Sequence, residues 1–354
     1  MTRRDSAGER FTMRPGLISE VRLDRLRHVR PAAGLGWVVT EATEAVSLLD
    51  HDLQLVRRVS LPFAVPRLDV SATSQFIAIA DSHELVVLDS AGDIRWRRPR
   101  SHLRAGTADT ETSFHIDADG ILWIRMATTR ELLALDAGTG IEIDRATLVG
   151  PDAAWFVHRP TDASTGLGLL HPDPSPSALI SLDNSRIVLR PLRGFDLADF
   201  SPAGSRYLTM SIDGFLSVRE LATETVLVER HLDDLPGLPY RIRYADWYFE
   251  YPALFLTDEI ILVKISSRDY SEDDSHLLLS ARSLRYRSQI DYPTPRWPGS
   301  IVSAERSGRW LTHYHEESTL RLWQIADTSP PPAGPQARPT PLDDEPTPGQ
   351  LTLF

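Results

Sequence analysis

Phe76-Ile-Ala-Ile-Ala80, Glu84-Leu-Val-Val-Leu88 and Ile94-Arg-Trp-Arg97 are three runs of strand length, the last two separated by the turn residues Ala91-Gly92-Asp93. Each is rich in β-branched or aromatic residues, which favour a pleated, packed surface over a helix. The same design recurs at Tyr207-Leu-Thr-Met210, Phe215-Leu-Ser-Val-Arg219 and Thr225-Val-Leu-Val228. Further connectors carry turn chemistry: Ala203-Gly204-Ser205, Asp213-Gly214, Asp119-Gly120 and Ser307-Gly308. Long helical periodicity is missing, so the chain reads as all-β and antiparallel.

Repeat period decides which all-β architecture this is. Aligning the second strand of each unit places starts near Trp37, Phe76, Leu122, Leu167, Tyr207, Ile261 and Trp310, at spacings of 39, 46, 45, 40, 54 and 49 residues. Four-stranded propeller blades repeat at about 40 to 50 residues, which predicts a seven-bladed β-propeller. The 54-residue interval is assigned to an acidic insertion, Ser267-Arg-Asp-Tyr-Ser-Glu-Asp-Asp-Ser275, read as a surface loop. His171-Pro-Asp-Pro-Ser-Pro176 is a second loop insertion.

The last unit, Ile301 to Ile325, holds three strands, and an open ring would leave sheet edges unpaired. Phe11-Thr-Met-Arg-Pro-Gly-Leu-Ile-Ser-Glu-Val-Arg22 is the expected closing strand. The expected organisation is thus a disordered N-terminus at 1–10, a propeller at 11–327 and a disordered Pro-rich tail at 328–354.

Val87-Leu-Asp-Ser-Ala-Gly-Asp-Ile-Arg-Trp96 resembles the quinoprotein-like propeller repeat: apolar strand, Asp, turn Gly, then Trp on the next strand. Leu135-Asp-Ala-Gly-Thr-Gly140 repeats the turn without the Trp, and Leu320-Arg-Leu-Trp-Gln-Ile325 is similar to a WD40-like third strand. The resemblance covers about residues 30–327 as a pattern and implies the fold, not an activity. Quinoprotein dehydrogenases are largely exported, and many use a vicinal cysteine pair at the cofactor. The chain has no cysteine, so no cofactor is expected.

Composition narrows the function classes. Without cysteine there is no disulfide framework, thiolate metal site or thiol nucleophile. The N-terminus carries early arginines with no apolar core behind them, and no apolar run approaches a membrane span, so a cytoplasmic protein is expected. A net charge of −11 argues against direct nucleic-acid binding. Arg95, Arg97, Arg98, Arg100 and Arg104 form a local basic segment. There Arg95 and Arg97 flank Trp96, as residues of a solvated strand face do. Lys264 is the only lysine beside 37 arginines, which reads as the codon bias of a GC-rich, bacterial genome.

No motif for catalysis stands out: no Gly-x-Ser-x-Gly elbow, no phosphate-cradling loop and no carboxylate pair in a pKa-shifting setting. A non-enzymatic protein is expected. His313-Tyr-His315-Glu-Glu317 has two imidazoles at spacing two, a chelating geometry, but no further ligand stands out, and a solvent-facing strand end is the preferred reading. Asp233-Asp234 and Glu272-Asp273-Asp274 read as solvated loop charge, with calcium at the second as the alternative. No metal site is expected. Trp247-Tyr-Phe-Glu-Tyr251, with Tyr240 and Tyr244, reads as packing between blades rather than a binding surface.

Composition changes after Ile325. Residues 328–354 hold eight prolines and the acidic triplet Asp343-Asp-Glu345, then end on Gln350-Leu-Thr-Leu-Phe354. Such a segment buries too little apolar surface to fold by itself, yet finishes on three large apolar side chains. The pentapeptide resembles the motif with which bacterial polymerases and repair proteins bind the replication sliding clamp. Gln350, Leu351, Leu353 and Phe354 match its anchor positions, and Thr352 stands where Ser or Asp is usual. The resemblance implies amide hydrogen bonds from Gln350 at a pocket rim, with Leu351, Leu353 and Phe354 filling two hollows. The expected function is a protein-interaction scaffold tethered to the clamp in replication or repair. The alternative is a regulatory propeller of a multi-protein bacterial system, with the tail as a degron or as a latch on the propeller. Thr352-Leu-Phe354 as a PDZ ligand is a further option.

Overall fold

The computed structural model describes residues 12–325 except 42–44, 62–68, 81–83, 100–112, 127–128, 149–152, 160–164, 171–176, 212, 239–246, 268–274, 294–298, 306 and 315–316. The tail and its pentapeptide therefore lie outside the described residues, as does the expected disordered N-terminus at 1–10.

Seven four-stranded antiparallel units follow one another at 26–60, 69–99, 113–147, 153–191, 196–231, 247–290 and 300–324, here called blades 1 to 7. The seven aligned positions all fall on the second strand of their blade, from Trp37 in Gly36–Glu41 to Trp310 in Arg309–Tyr314. Blade 7 supplies three strands from 300–324, and Gly16–Arg22 pairs antiparallel with Thr319–Gln324 to complete it, with Arg321 bonded to Glu20 at 2.6 Å. The chain is thereby closed by its own N-terminal segment. Just before that, Thr12–Met13 adds to the outer strand of blade 6 in parallel, and Arg14 pairs with Asp291 at 3.0 Å. One short segment therefore straps two blades.

Middle strands are buried on both faces because each blade is packed between two neighbours. Leu85-Val-Val-Leu88, Leu132-Leu-Ala-Leu135 and Leu277-Leu-Leu279 are uninterrupted apolar runs for that reason. Trp96 shows how blades interlock. Asp89 brackets its turn by accepting from the backbone N–H groups of Ala91 and Asp93 at 2.9 and 3.0 Å. The strand that follows turns the Trp96 ring onto blade 3, where its Nε1 donates to the Ala137 carbonyl at 2.8 Å. Gly140 lies against that ring at φ +71°, and a β-carbon there would stand 2.8 Å from Trp96 Cδ2. The strand-Asp-Gly-Trp pattern is thus a blade-to-blade lock.

Outer strands are exposed edges, and the chain protects them. In six blades the pairing of the fourth strand skips one residue near its start, at Ile18, Val56, Arg95, Ile143, Leu227 and Arg287. Such bulges twist an edge away from foreign strands. Blade 4 keeps continuous register from Asp183↔Arg186 to Ala178↔Pro191. There Asp144 of blade 3 accepts the outward N–H of Ile187 at 2.7 Å, and Pro191 offers no N–H.

One assignment is corrected. The 54-residue interval contains the one-turn 3₁₀ helix Leu232–Asp234 and the 11-residue first strand Trp247–Thr257. The acidic stretch comes after Ile261, between Ile260–Ser267 and Ser275–Ser280, so it cannot lengthen that interval.

Candidate functional site

The first strand of each blade lines the axis, so its polar residues are the ones a ligand in the centre would meet. In blade 1 Leu26, Val29 and Ala32 are buried while Arg27, His28 and Arg30 are exposed. Blades 3 and 4 add His115, Phe156 and His158. His115 stacks on Phe156 with centroids 5.8 Å apart, and the two imidazoles are 6.3 Å apart. Burial first, then the charges of His158 and Arg30, holds the His115 pKa down at about 3, so the ring is neutral. Its Nε2 is buried without a hydrogen-bond partner among the described residues.

The seam between blades 5 and 6 is acidic and phenolic. Tyr251 of blade 6 donates to Asp196 Oδ2 of blade 5 at 2.9 Å, and burial followed by the Asp196 charge raises its pKa. Tyr251 is therefore a hydrogen-bond donor, not a phenolate. Trp155 packs edge-on against it at 5.3 Å and donates to the Leu197 carbonyl at 3.0 Å. The wall thus offers imidazole and guanidinium from blades 1, 3 and 4, and carboxylate from blade 5. The chemistry this supports is recognition of polar groups.

Residues singled out by sequence are placed as follows. Arg95 and Arg97 are exposed on the outer strand Ile94–Pro99 with Trp96 turned inward, the alternation of a solvated strand face. Arg100 and Arg104 lie outside the described residues. Trp247 and Phe249 sit in the core between blades 5 and 6, while Tyr240 and Tyr244 lie outside the described residues. His313 is not at a solvent-facing strand end: it is 3% exposed, paired with Ser300 and Leu320 on a second strand covered on both sides. His315 is outside the described residues, and among those described no group of three His, Asp or Glu is arranged to hold a metal. Asp233 and Asp234 are exposed on the 3₁₀ turn, and Glu272–Asp274 and 171–176 are not described.

Lys264 has a structural role that composition hid. Its buried ammonium pairs with Glu250 at 2.7 Å between the first two strands of blade 6. Arg30, His115 and His158 were also missed, being spread over three repeats. Their proximity comes from the packing of neighbouring first strands and leaves no mark at a fixed spacing.

No family profile matches the chain, and no curated protein matches it. Among solved structures it is similar to BamB from Moraxella catarrhalis, with a TM-score of 0.50 and 13% identity, over 88% of this chain and 99% of that one. The fold is a seven-bladed β-propeller. At that identity the likeness speaks for the fold alone. With 1293 solved chains matched, the architecture is too common to name a partner. Among the described residues no helix is long and apolar enough to cross a membrane.

Proposed function

We propose that this propeller is a non-enzymatic, cytoplasmic protein-interaction scaffold that rides on the bacterial sliding clamp through Gln350–Phe354. In this reading it brings a protein partner, held on the propeller body, to sites of replication or repair. The observation that carries it is the match of Gln350, Leu351, Leu353 and Phe354 to the clamp-binding motif at the close of the Pro-rich 328–354 segment. Burying three such side chains contributes roughly 1.5–3 kcal/mol each. Ordering an extended segment offsets part of that, leaving an affinity of about micromolar.

The test is fluorescence polarisation of a labelled peptide spanning residues 341–354 against purified clamp. Micromolar binding that is lost on Phe354→Ala supports the reading. Silence at tens of micromolar, with an established clamp peptide binding in parallel, ends it.

A further inference from the structure

We propose that the outer ridge of blades 1 and 2 is a docking surface for the chain's own acidic, apolar-ended segment, residues 343–354. The inference rests on reading Gln350–Phe354 as the protein-binding peptide, and it assigns that peptide a resting place.

The ridge carries exposed apolar and cationic side chains along two neighbouring outer strands. Leu55, Val56 and Ile94 are 57%, 54% and 40% exposed at the starts of the two fourth strands. The turn before Ile94 packs on blade 1, since a β-carbon on Gly92 would meet Val59 Cγ1 at 3.0 Å. The start of the second fourth strand thus meets the first near its end, so Leu55, Val56 and Ile94 follow one another along the two neighbouring outer strands. Arg57 and Arg95 stand among them and make no ion pair among the described residues. Their neighbours Arg58 and Arg97 are engaged by Glu41 at 2.8 Å and Glu84 at 3.8 Å. On a chain of net charge −11, this ridge is a place where unpaired cations and exposed aliphatic groups coincide.

The tail presents the complement. Asp343, Asp344 and Glu345 oppose Arg57 and Arg95, and Leu351, Leu353 and Phe354 oppose Leu55, Val56 and Ile94. Its point of departure is close by. Ile325 N–H donates to Gly308 at 3.1 Å, and the adjacent Arg309 reaches Asp52 of blade 1 at 2.6 Å, three residues before Leu55. Residues 326–342 span roughly 50 Å at about 3.1 Å per residue, ample for the distance. Both fourth strands bulge here, at Val56 and Arg95, so docking proceeds by side-chain packing and charge rather than by an added strand. A docked peptide is withheld from the clamp until it is displaced.

The chain has no cysteine, so Gln54→Cys and Gly349→Cys place spin labels beside the ridge and beside the peptide in the full-length protein. The expected result is one narrow distance population. It should broaden when Asp343, Asp344 and Glu345 become Lys, and return when Arg57→Glu and Arg95→Glu are added. A broad distribution in the parent, indifferent to these reversals, overturns the proposal. So does a distance signal arising only between two singly labelled chains, which would mean a second copy docks. Clamp binding is read separately. Arg57→Glu with Arg95→Glu should tighten clamp binding of the full chain about 5- to 10-fold by releasing the peptide, leaving the isolated 341–354 peptide unchanged. A narrow distance with no clamp binding by the peptide leaves docking standing and removes only the clamp.

Discussion

Replacing His115 by Phe and His276 by Gln removes two imidazoles that burial holds neutral, and with them much of the protein's acid sensitivity. His115 stacks on Phe156 in the axis wall, and His276 hydrogen-bonds through Nδ1 to the Tyr292 hydroxyl at 2.7 Å between blades 6 and 7. The pKa of each is lowered to about 3, by burial first; His158 and Arg30 add to the effect on His115, and Lys264 to that on His276. An unfolded histidine titrates near 6.5, so between pH 6.5 and 3 the unfolded chain binds protons that the folded chain refuses. Stability is therefore full above pH 6.5 and falls as the pH drops, by about 1.4 kcal/mol per unit for each residue. At pH 5 the loss is about 2 kcal/mol per histidine and about 4 for the pair, a large share of a typical 5–15 kcal/mol. Urea unfolding followed by tryptophan fluorescence at pH 7.5, 6.5, 5.8 and 5.0 measures it. The double variant starts lower at pH 7.5 because it loses packing, yet its stability should decline by about 4 kcal/mol less on the way to pH 5. Carboxylate titration is common to both proteins and cancels in the comparison. Parallel pH profiles would refute the reasoning.

Three further outcomes are expected. Gly140→Ala drives a methyl group into the Trp96 ring at a positive φ and should cost about 1–3 kcal/mol in urea unfolding, with a shift in Trp96 emission. Glu250→Gln leaves the buried Lys264 ammonium without its carboxylate and should cost about 2 kcal/mol or more, whereas Lys264→Met, which removes the charge itself, should cost less. Asp144→Ala uncovers the Ile187 N–H on the blade 4 edge and frees Arg186. Light scattering should then show concentration-dependent association at neutral pH that the parent lacks, while unfolding midpoints barely move.

The strands, their period and the closing segment were legible because they are local or repetitive. Turn residues, β-branched runs and a period near 45 each leave a mark within one repeat. Side-chain environment was less legible where it depends on the neighbouring blade. His313 and His315 look like an outward-facing pair because spacing two places them on one face of a strand. In a propeller both faces of a second strand are covered, so His313 is buried. The sole lysine looked like codon usage because its partner, Glu250, lies one strand away in a bulged pairing that spacing does not reveal. Arg30, His115 and His158 escaped notice because only the ring brings blades 1, 3 and 4 to a common axis. The acidic stretch after Ile261 shows in composition as an insertion, but only the strand boundaries show which interval it lengthens.

Packing on both sides leaves middle strands little chemical freedom, as their uninterrupted apolar runs show. Polar residues are rare there and buried when they occur, as with Lys264, His276 and His313, so exposed polar choice is left to the first strands, the fourth strands and the connections. The fourth strands use it consistently: arginines and bulges at the edges, and on blade 4 a carboxylate cap and a proline. These devices oppose backbone pairing with other chains, yet Leu55, Val56 and Ile94 remain exposed beside Arg57 and Arg95. Solubility alone would select against aliphatic groups there. Edges closed to strands but open to side chains fit a surface that receives a short, weakly held peptide, and an acidic tail ending in Leu-Thr-Leu-Phe354 is the peptide this chain itself carries.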